Sequence, residues 1–165
     1  MLLGVGAVVL ALSIAANVWL AFRVRSATSA DRTRTQVATL ARTFLFTLTN
    51  FQASTIDHDV ARIRSYAVGD FAQQVQQFFG PEAIDTIKHA QAKSSGQVQS
   101  VFVEALSGGT ASVFGLVDET VTNSSQPTPR AELVRIEVQL IDTKDGWKVN
   151  KVNILEQPSG SPLGG

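Results

Sequence analysis

The sequence contains no cysteine, only two histidines and one tyrosine, and no surplus of charge of either sign. Without cysteine, disulfide staples, thiolate metal centres and cysteine nucleophiles are excluded. His58 and His89 lie far apart and form no H-x-x-x-H pair, so a histidine-built metal site is not expected. Fourteen basic residues balance fourteen acidic ones. A nucleic-acid partner would call for a strong basic excess, so no nucleic acid is expected. Nor does the chain carry a Walker A loop, a G-x-G-x-x-G turn, a G-x-S-x-G elbow or an H-E-x-x-H helix. No cofactor is expected from these residues.

What the sequence does have is one long apolar run, Leu2 to Phe22, without a single charge; Ser13 and Asn17 are its only clearly polar side chains. As a helix it would be about 30 Å long, the thickness of a bilayer's hydrocarbon core. Trp19 stands near its end, and Arg23 and Arg25 follow, which is how a membrane span usually stops. The run therefore reads as a single-pass anchor over residues 1–25, with the lipid bilayer as its first partner. A secretory signal peptide is the competing reading. It needs a basic n-region and a small-residue cleavage site, whereas only Met1 precedes the run and Ala27-Thr28-Ser29-Ala30 is a poor cleavage candidate. Gly4, Ala7 and Ala11 follow the small-residue spacing that lets membrane helices pack closely. With Trp19, Arg23 and Arg25 they form the candidate anchor and partner interface.

The rest, residues 26–157, is long enough for one ordinary domain. Arg23, Arg25, Arg32, Arg34 and Arg42 are opposed only by Asp31. From Val37 the apolar residues Val37, Leu40, Phe44, Leu48 and Phe51 recur at steps of three and four, predicting a stalk helix over 26–50 with one apolar stripe. Two more helices are expected, one from about Asp59 to Tyr66 and one capped by Asp70 that resumes after Gly80-Pro81. Ser94-Ser95-Gly96 should end the helical half. Four strands are expected after it: Gln97–Leu106, Thr110–Val121 beyond a Gly108-Gly109 turn, Glu132–Ile141 and Trp147–Leu155. The last slips its alternation between Val149 and Val152, as a bulge would cause. The tail, residues 158–165, is rich in Pro, Gly and Ser and reads as disordered. The expected class is α+β: an N-terminal transmembrane helix, then a cone-like domain of about three helices on a four-stranded antiparallel sheet.

Chemistry is sparse in this frame. Asp57-His58-Asp59 is the most enzyme-like triplet, but consecutive residues do not converge on one substrate atom, and a helix-start role is the simpler reading. Tyr66 and Asp70 are residue types that a ketosteroid-isomerase-like cone would use as donor and base, while Asp118 and Glu119 sit on a strand as candidate cavity-lining residues. Each has a plainer role as a cap or a solvated strand residue. Phe44, Phe51, Phe71, Phe78 and Phe79 read as core, with an apolar ligand pocket as the alternative. No catalytic residue is expected.

Three segments carry a family resemblance: Leu48 to Asp59 with its Thr-Ile-Asp, Tyr66 to Phe71 with its Gly69-Asp70-Phe71, and the closing Gly146-Trp147-Lys148-Val149. Together with the span and the basic helix, they resemble the Mce-associated membrane proteins of actinobacteria. That resemblance implies a nuclear transport factor 2-like cone on a single-span anchor. It implies a non-enzymatic accessory subunit of an Mce lipid-import system, with Mce-complex and other membrane proteins as partners and a lipid as the candidate ligand. Type IV secretion and conjugation scaffolds share the same cone-on-anchor plan, and an anchored isomerase-like enzyme is the other class. The resemblance places the domain outside the cytoplasmic membrane, although the arginines after the span would by themselves hold that end inside.

Overall fold

The computed structural model describes residues 29–156. The chain divides into two compact units between Gln36 and Val37. Residues 29–49 are helical (α1), and 29–36 are exposed almost throughout. The second unit, from Val37 onward, holds the sheet and the remaining helices.

After α1 come a two-residue strand Phe51–Gln52 (β1) and three helices, Ile56–Tyr66 (α2), Gly69–Phe78 (α3) and Pro81–His89 (α4). Four long strands complete the chain: Lys93–Ser107 (β2), Thr110–Thr122 (β3), Arg130–Thr143 (β4) and Gly146–Glu156 (β5). All five strands form one sheet in sequence order, each antiparallel to the next. The sheet is curled, and with the helices it makes an α+β domain as expected from the periodicity.

Alternation sets the faces. On β4, Val134, Ile136, Val138 and Leu140 are buried, as the period of two requires. Val113 and Val117 continue that layer on β3 and Val149 on β5. The β5 bulge is present: Gln139 pairs with Lys151 and Leu140 with Val149, leaving Asn150 as the extra residue. Gly108 and Gly109 both take positive φ (57° and 75°), the backbone that a tight two-residue hairpin demands.

The helices close the inner face. Val37, Ala41, Phe44, Leu45 and Leu48 of α1 are buried, so the stripe is turned slightly from the expected one and Leu40 is only half-buried. Phe44 meets Tyr66 and Phe71 edge-to-face at 5.6 and 5.3 Å, and Phe51 meets Phe79 at 6.2 Å. Each fully buried Phe contributes roughly 1.5–3 kcal/mol of hydrophobic stabilisation. Two glycines let α1 lie this close. A Cβ on Gly115 would come within 2.3 Å of Leu45 Cδ1, and one on Gly96 within 2.0 Å of Thr49 Oγ1.

Several expectations need correction. The sheet has five strands, because α1 stops at residue 49 and Phe51–Gln52 pairs with Ser94 and Lys93, and the described chain has four helices, because α3 ends at Phe78 and α4 starts anew at Pro81. Ser94-Ser95-Gly96 therefore belongs to β2 rather than to a helix-ending turn. The second helix begins at Ile56, three residues early, and Asp70 caps nothing: α3 starts at Gly69 behind an extended Val68, with no side-chain cap. Pro81 stands at the first position of α4, where its missing N–H costs nothing. Trp147, at the start of β5, is half-buried and packs on the margin of the core. The expected transmembrane helix and the expected disordered tail lie outside the described residues. Among the described residues no helix is long and apolar enough to cross a membrane.

Candidate functional site

The residues nominated for the anchor and partner interface, Gly4, Ala7, Ala11, Trp19, Arg23 and Arg25, lie outside the described residues. The chemistry-bearing residues of the domain can be placed one by one.

The Asp57-His58-Asp59 triplet opens α2, and the helix turns its members apart. Asp57 pairs with Lys88 Nζ of α4 at 2.8 Å, and His58 is exposed. Asp59 is buried. Its Oδ2 accepts from the Thr55 hydroxyl at 2.7 Å and from the Gln52 N–H at 3.4 Å, while Arg62 lies 3.8 Å from Oδ1. Its contacts stitch the turn between β1 and α2. Tyr66 packs on Phe44, Asp70 is exposed, and Asp118 accepts from Gln99 Nε2 at 2.6 Å on the exposed side of the sheet. Among the described residues, no two of these side chains share a hydrogen-bond partner.

The expected Phe set splits. Phe44, Phe51, Phe71 and Phe79 are core, while Phe78 is 36% exposed. Phe78 borders a small apolar cavity of about 70 Å³ that Leu48, Phe71, Val75, Val152 and Ile154 also line. That is room for about two water molecules, and far short of a lipid chain. A wetter cleft of about 210 Å³ opens nearby between the end of α1, the β1–α2 turn and the start of β2, with Asp59, Lys93 and Ser94 on its walls. On the outer sheet face Phe102 stands directly opposite Phe114, and Phe102 is 54% exposed, as is much of Leu133.

One buried polar cluster stands out. Glu119 of β3 is 3% exposed, and its Oε1 is hydrogen-bonded to the Ser94 hydroxyl of β2. The same hydroxyl lies 2.7 Å from the carbonyl oxygen of Thr49, the last residue of α1. Glu132 of β4 is the register partner of Glu119. Burial pushes the Glu119 carboxyl above its ordinary value of 4.5; the Ser94 bond opposes this and the charge of Glu132 adds to it. Beside the cluster, Asn50 Nδ2 donates to the Gly96 carbonyl at 2.8 Å and Arg42 Nη1 to the Val98 carbonyl at 2.8 Å. The C-terminal half of α1 and the residue that follows it are thus tied to β2 at three points. Sequence reasoning grouped Glu119 with Asp118 as a cavity-lining or solvated residue. The phase was legible: Glu119 follows Val113, Gly115 and Val117 at steps of two and must point inward with them.

The fold is an α+β domain with a curled antiparallel sheet, and the chain belongs to the family described as "Uncharacterized protein Rv1363c/MT1408-like", whose pattern matches residues 1–156. Among curated relatives, the protein MT1407 of Mycobacterium tuberculosis is 27% identical over 104 residues. The match takes in 63% of this chain and 47% of MT1407, so the chain spans about half the length of that relative. Among solved structures, an IcmL-like type IV secretion system protein of Legionella pneumophila is similar with a TM-score of 0.61 and 9% identity, over 78% of this chain and 97% of that one. The periplasmic domain of DotI is similar with a TM-score of 0.57 and 9% identity, over 72% and 91%. At these identities the likeness establishes the fold and nothing finer.

Proposed function

We propose that the protein is a non-catalytic scaffold of the cell envelope, anchored in the cytoplasmic membrane by residues 1–25 and holding its domain outside the cytoplasm. The observation that carries this reading is the pairing of an apolar, charge-free run with a cone similar to a secretion-system protein and to a periplasmic domain. The placement of the ionisable residues supports it. Asp57, Asp59 and Asp118 each serve a local bond, and Tyr66 serves the core. The Mce lipid-import role that the sequence resemblance implies gains nothing from the family or from the similar structures. A conjugation- or secretion-type scaffold, working by protein–protein contact with other membrane proteins, is the better supported form.

An anchored isomerase-like enzyme acting on a lipid would need an ionisable group facing a substrate-sized pocket. Of the two buried acids among the described residues, Glu119 faces Ser94 and Glu132, and Asp59, on the wall of the cleft of about 210 Å³, is held by Thr55 and Gln52. The experiment is co-purification of the full chain from native membranes in mild detergent. Recovery in a defined complex with other membrane proteins supports the scaffold. Recovery alone, with a bound lipid turned over to product, overturns it.

A further inference from the structure

The strongest unassigned feature is the chain of oxygens from Thr49 through Ser94 to Glu119. A serine hydroxyl has one proton to give. Ser94 Oγ nevertheless lies within hydrogen-bond distance of two acceptor oxygens, the Thr49 carbonyl and Glu119 Oε1. A carbonyl oxygen cannot donate. Both contacts are hydrogen bonds only if the second proton sits on the Glu119 carboxyl, so that Glu119 donates to Ser94 and Ser94 donates to Thr49.

The surroundings agree. Glu119 is buried, and its register partners are Gly96 on β2 and Glu132 on β4. Two ionised carboxylates directly opposite on one face repel each other. Glu132 has Arg130 at 3.8 Å as a counter-charge. From β2 the residues facing Glu119 are Ser94 and Gly96, and from α1 Thr49; none is charged. Its neighbours on β3, Asp118 and Thr120, alternate to the other face. Gly96 leaves the space into which Thr49 fits, so the end of α1 is held against the acid by shape as well as by hydrogen bonds.

We propose that Glu119 is a proton-binding site that latches the C-terminal end of α1 to the sheet when protonated and releases it when ionised. On losing its proton, Glu119 becomes the stronger acceptor. Ser94 then turns its single proton to the carboxylate, and the Thr49 carbonyl loses its donor. The released element is the helix that leads, in sequence, back toward Arg23 and the apolar run.

The sign follows from linkage. The folded carboxyl binds its proton more tightly than the unfolded one, so the stabilisation is complete below the ordinary carboxylate value of 4.5 and is lost as pH rises through the folded-state titration. Within that window the unfolding constant of the wild type should rise with pH relative to Glu119→Gln, whose neutral amide still donates to Ser94, with about tenfold per pH unit as the upper limit for one proton.

The test uses the full chain in detergent, labelled with ¹³C at the glutamate carboxyls. Carbon NMR of the wild type should show one carboxyl titrating above the ordinary range, absent from Glu119→Gln. Hydrogen exchange should show the amides of residues 45–53 opening faster at high pH in the wild type, after correction for intrinsic exchange, and independently of pH in Glu119→Gln. In Ser94→Ala the same amides should be open at every pH. A Glu119 carboxyl that titrates in or below the ordinary range would overturn the proposal. So would a wild type whose α1 end opens no faster as that carboxyl ionises. The NMR titration needs no variant to fold, since assignment can rest on the wild type alone.

Discussion

Thr49 occupies the space that any side chain on Gly96 would need: a Cβ there would stand 2.0 Å from Thr49 Oγ1 and 2.5 Å from its Cβ. The Thr49 hydroxyl is meanwhile committed to the Leu45 carbonyl at 2.8 Å, one turn back in α1. Helix and strand therefore meet with no slack. Gly96→Ala should force the end of α1 off β2 and cost roughly 1–3 kcal/mol, the usual cost of overpacking. Urea denaturation of the full chain in detergent measures it. A change below about 0.5 kcal/mol, the range of a neutral surface substitution, would show that α1 moves aside without loss.

Phe44 is the hinge of the aromatic packing, fully buried and in edge-to-face contact with both Tyr66 and Phe71. Phe44→Ala should cost about 3–5 kcal/mol and lower the denaturation midpoint accordingly. Trp147, being only half-buried, should cost distinctly less than a sealed ring, about 1–3 kcal/mol on truncation to Ala. If Trp147→Ala proves the more damaging of the two, the core is centred on β5 and not on α1.

Asp57→Asn and His58→Ala should leave assembly with partners near the wild-type level. Asp57 holds an exposed ion pair with Lys88, and such pairs contribute about 0–1 kcal/mol. His58 is exposed and has no structural duty to lose. Co-purification yield of the folded variants is the measurement. A collapse of assembly with the domain still folded would restore a functional role to this triplet.

Partner specificity should reside in the anchor and the basic stretch Arg23 to Arg42 more than in the sheet. Replacing Leu2 to Phe22 with a polyleucine helix removes Gly4, Ala7 and Ala11 but keeps an anchor. The swapped protein should stay folded and membrane-bound and lose its partners. Unchanged co-purification would move the interface to the cone.

Much of the domain is legible in its sequence because the burial pattern is regular. The period of two in Val134 to Leu140 and the slip between Val149 and Val152 needed no tertiary knowledge, and both are found, the slip at Asn150. The misses are tertiary. A two-residue strand such as Phe51–Gln52 has no periodicity of its own and exists because β2 offers it partners at Ser94 and Lys93. Ser94-Ser95-Gly96 has turn composition, yet Ser94 is needed as a donor and Gly96 as an opening for Thr49. A charged side chain on a strand is normally a solvated one, and that expectation hid Glu119, although its phase pointed inward. The anchor residues, which rest on hydropathy, small-residue spacing and the Trp-Arg flank, lie outside the described residues.

The central claim, a domain held outside the cytoplasm by the apolar run, is tested most directly by protease accessibility of the full chain in intact spheroplasts. The account predicts that externally added protease digests the domain before the membrane is lysed and leaves a membrane-embedded N-terminal fragment. A domain protected until lysis, or one released from the membrane by a salt wash, would contradict it.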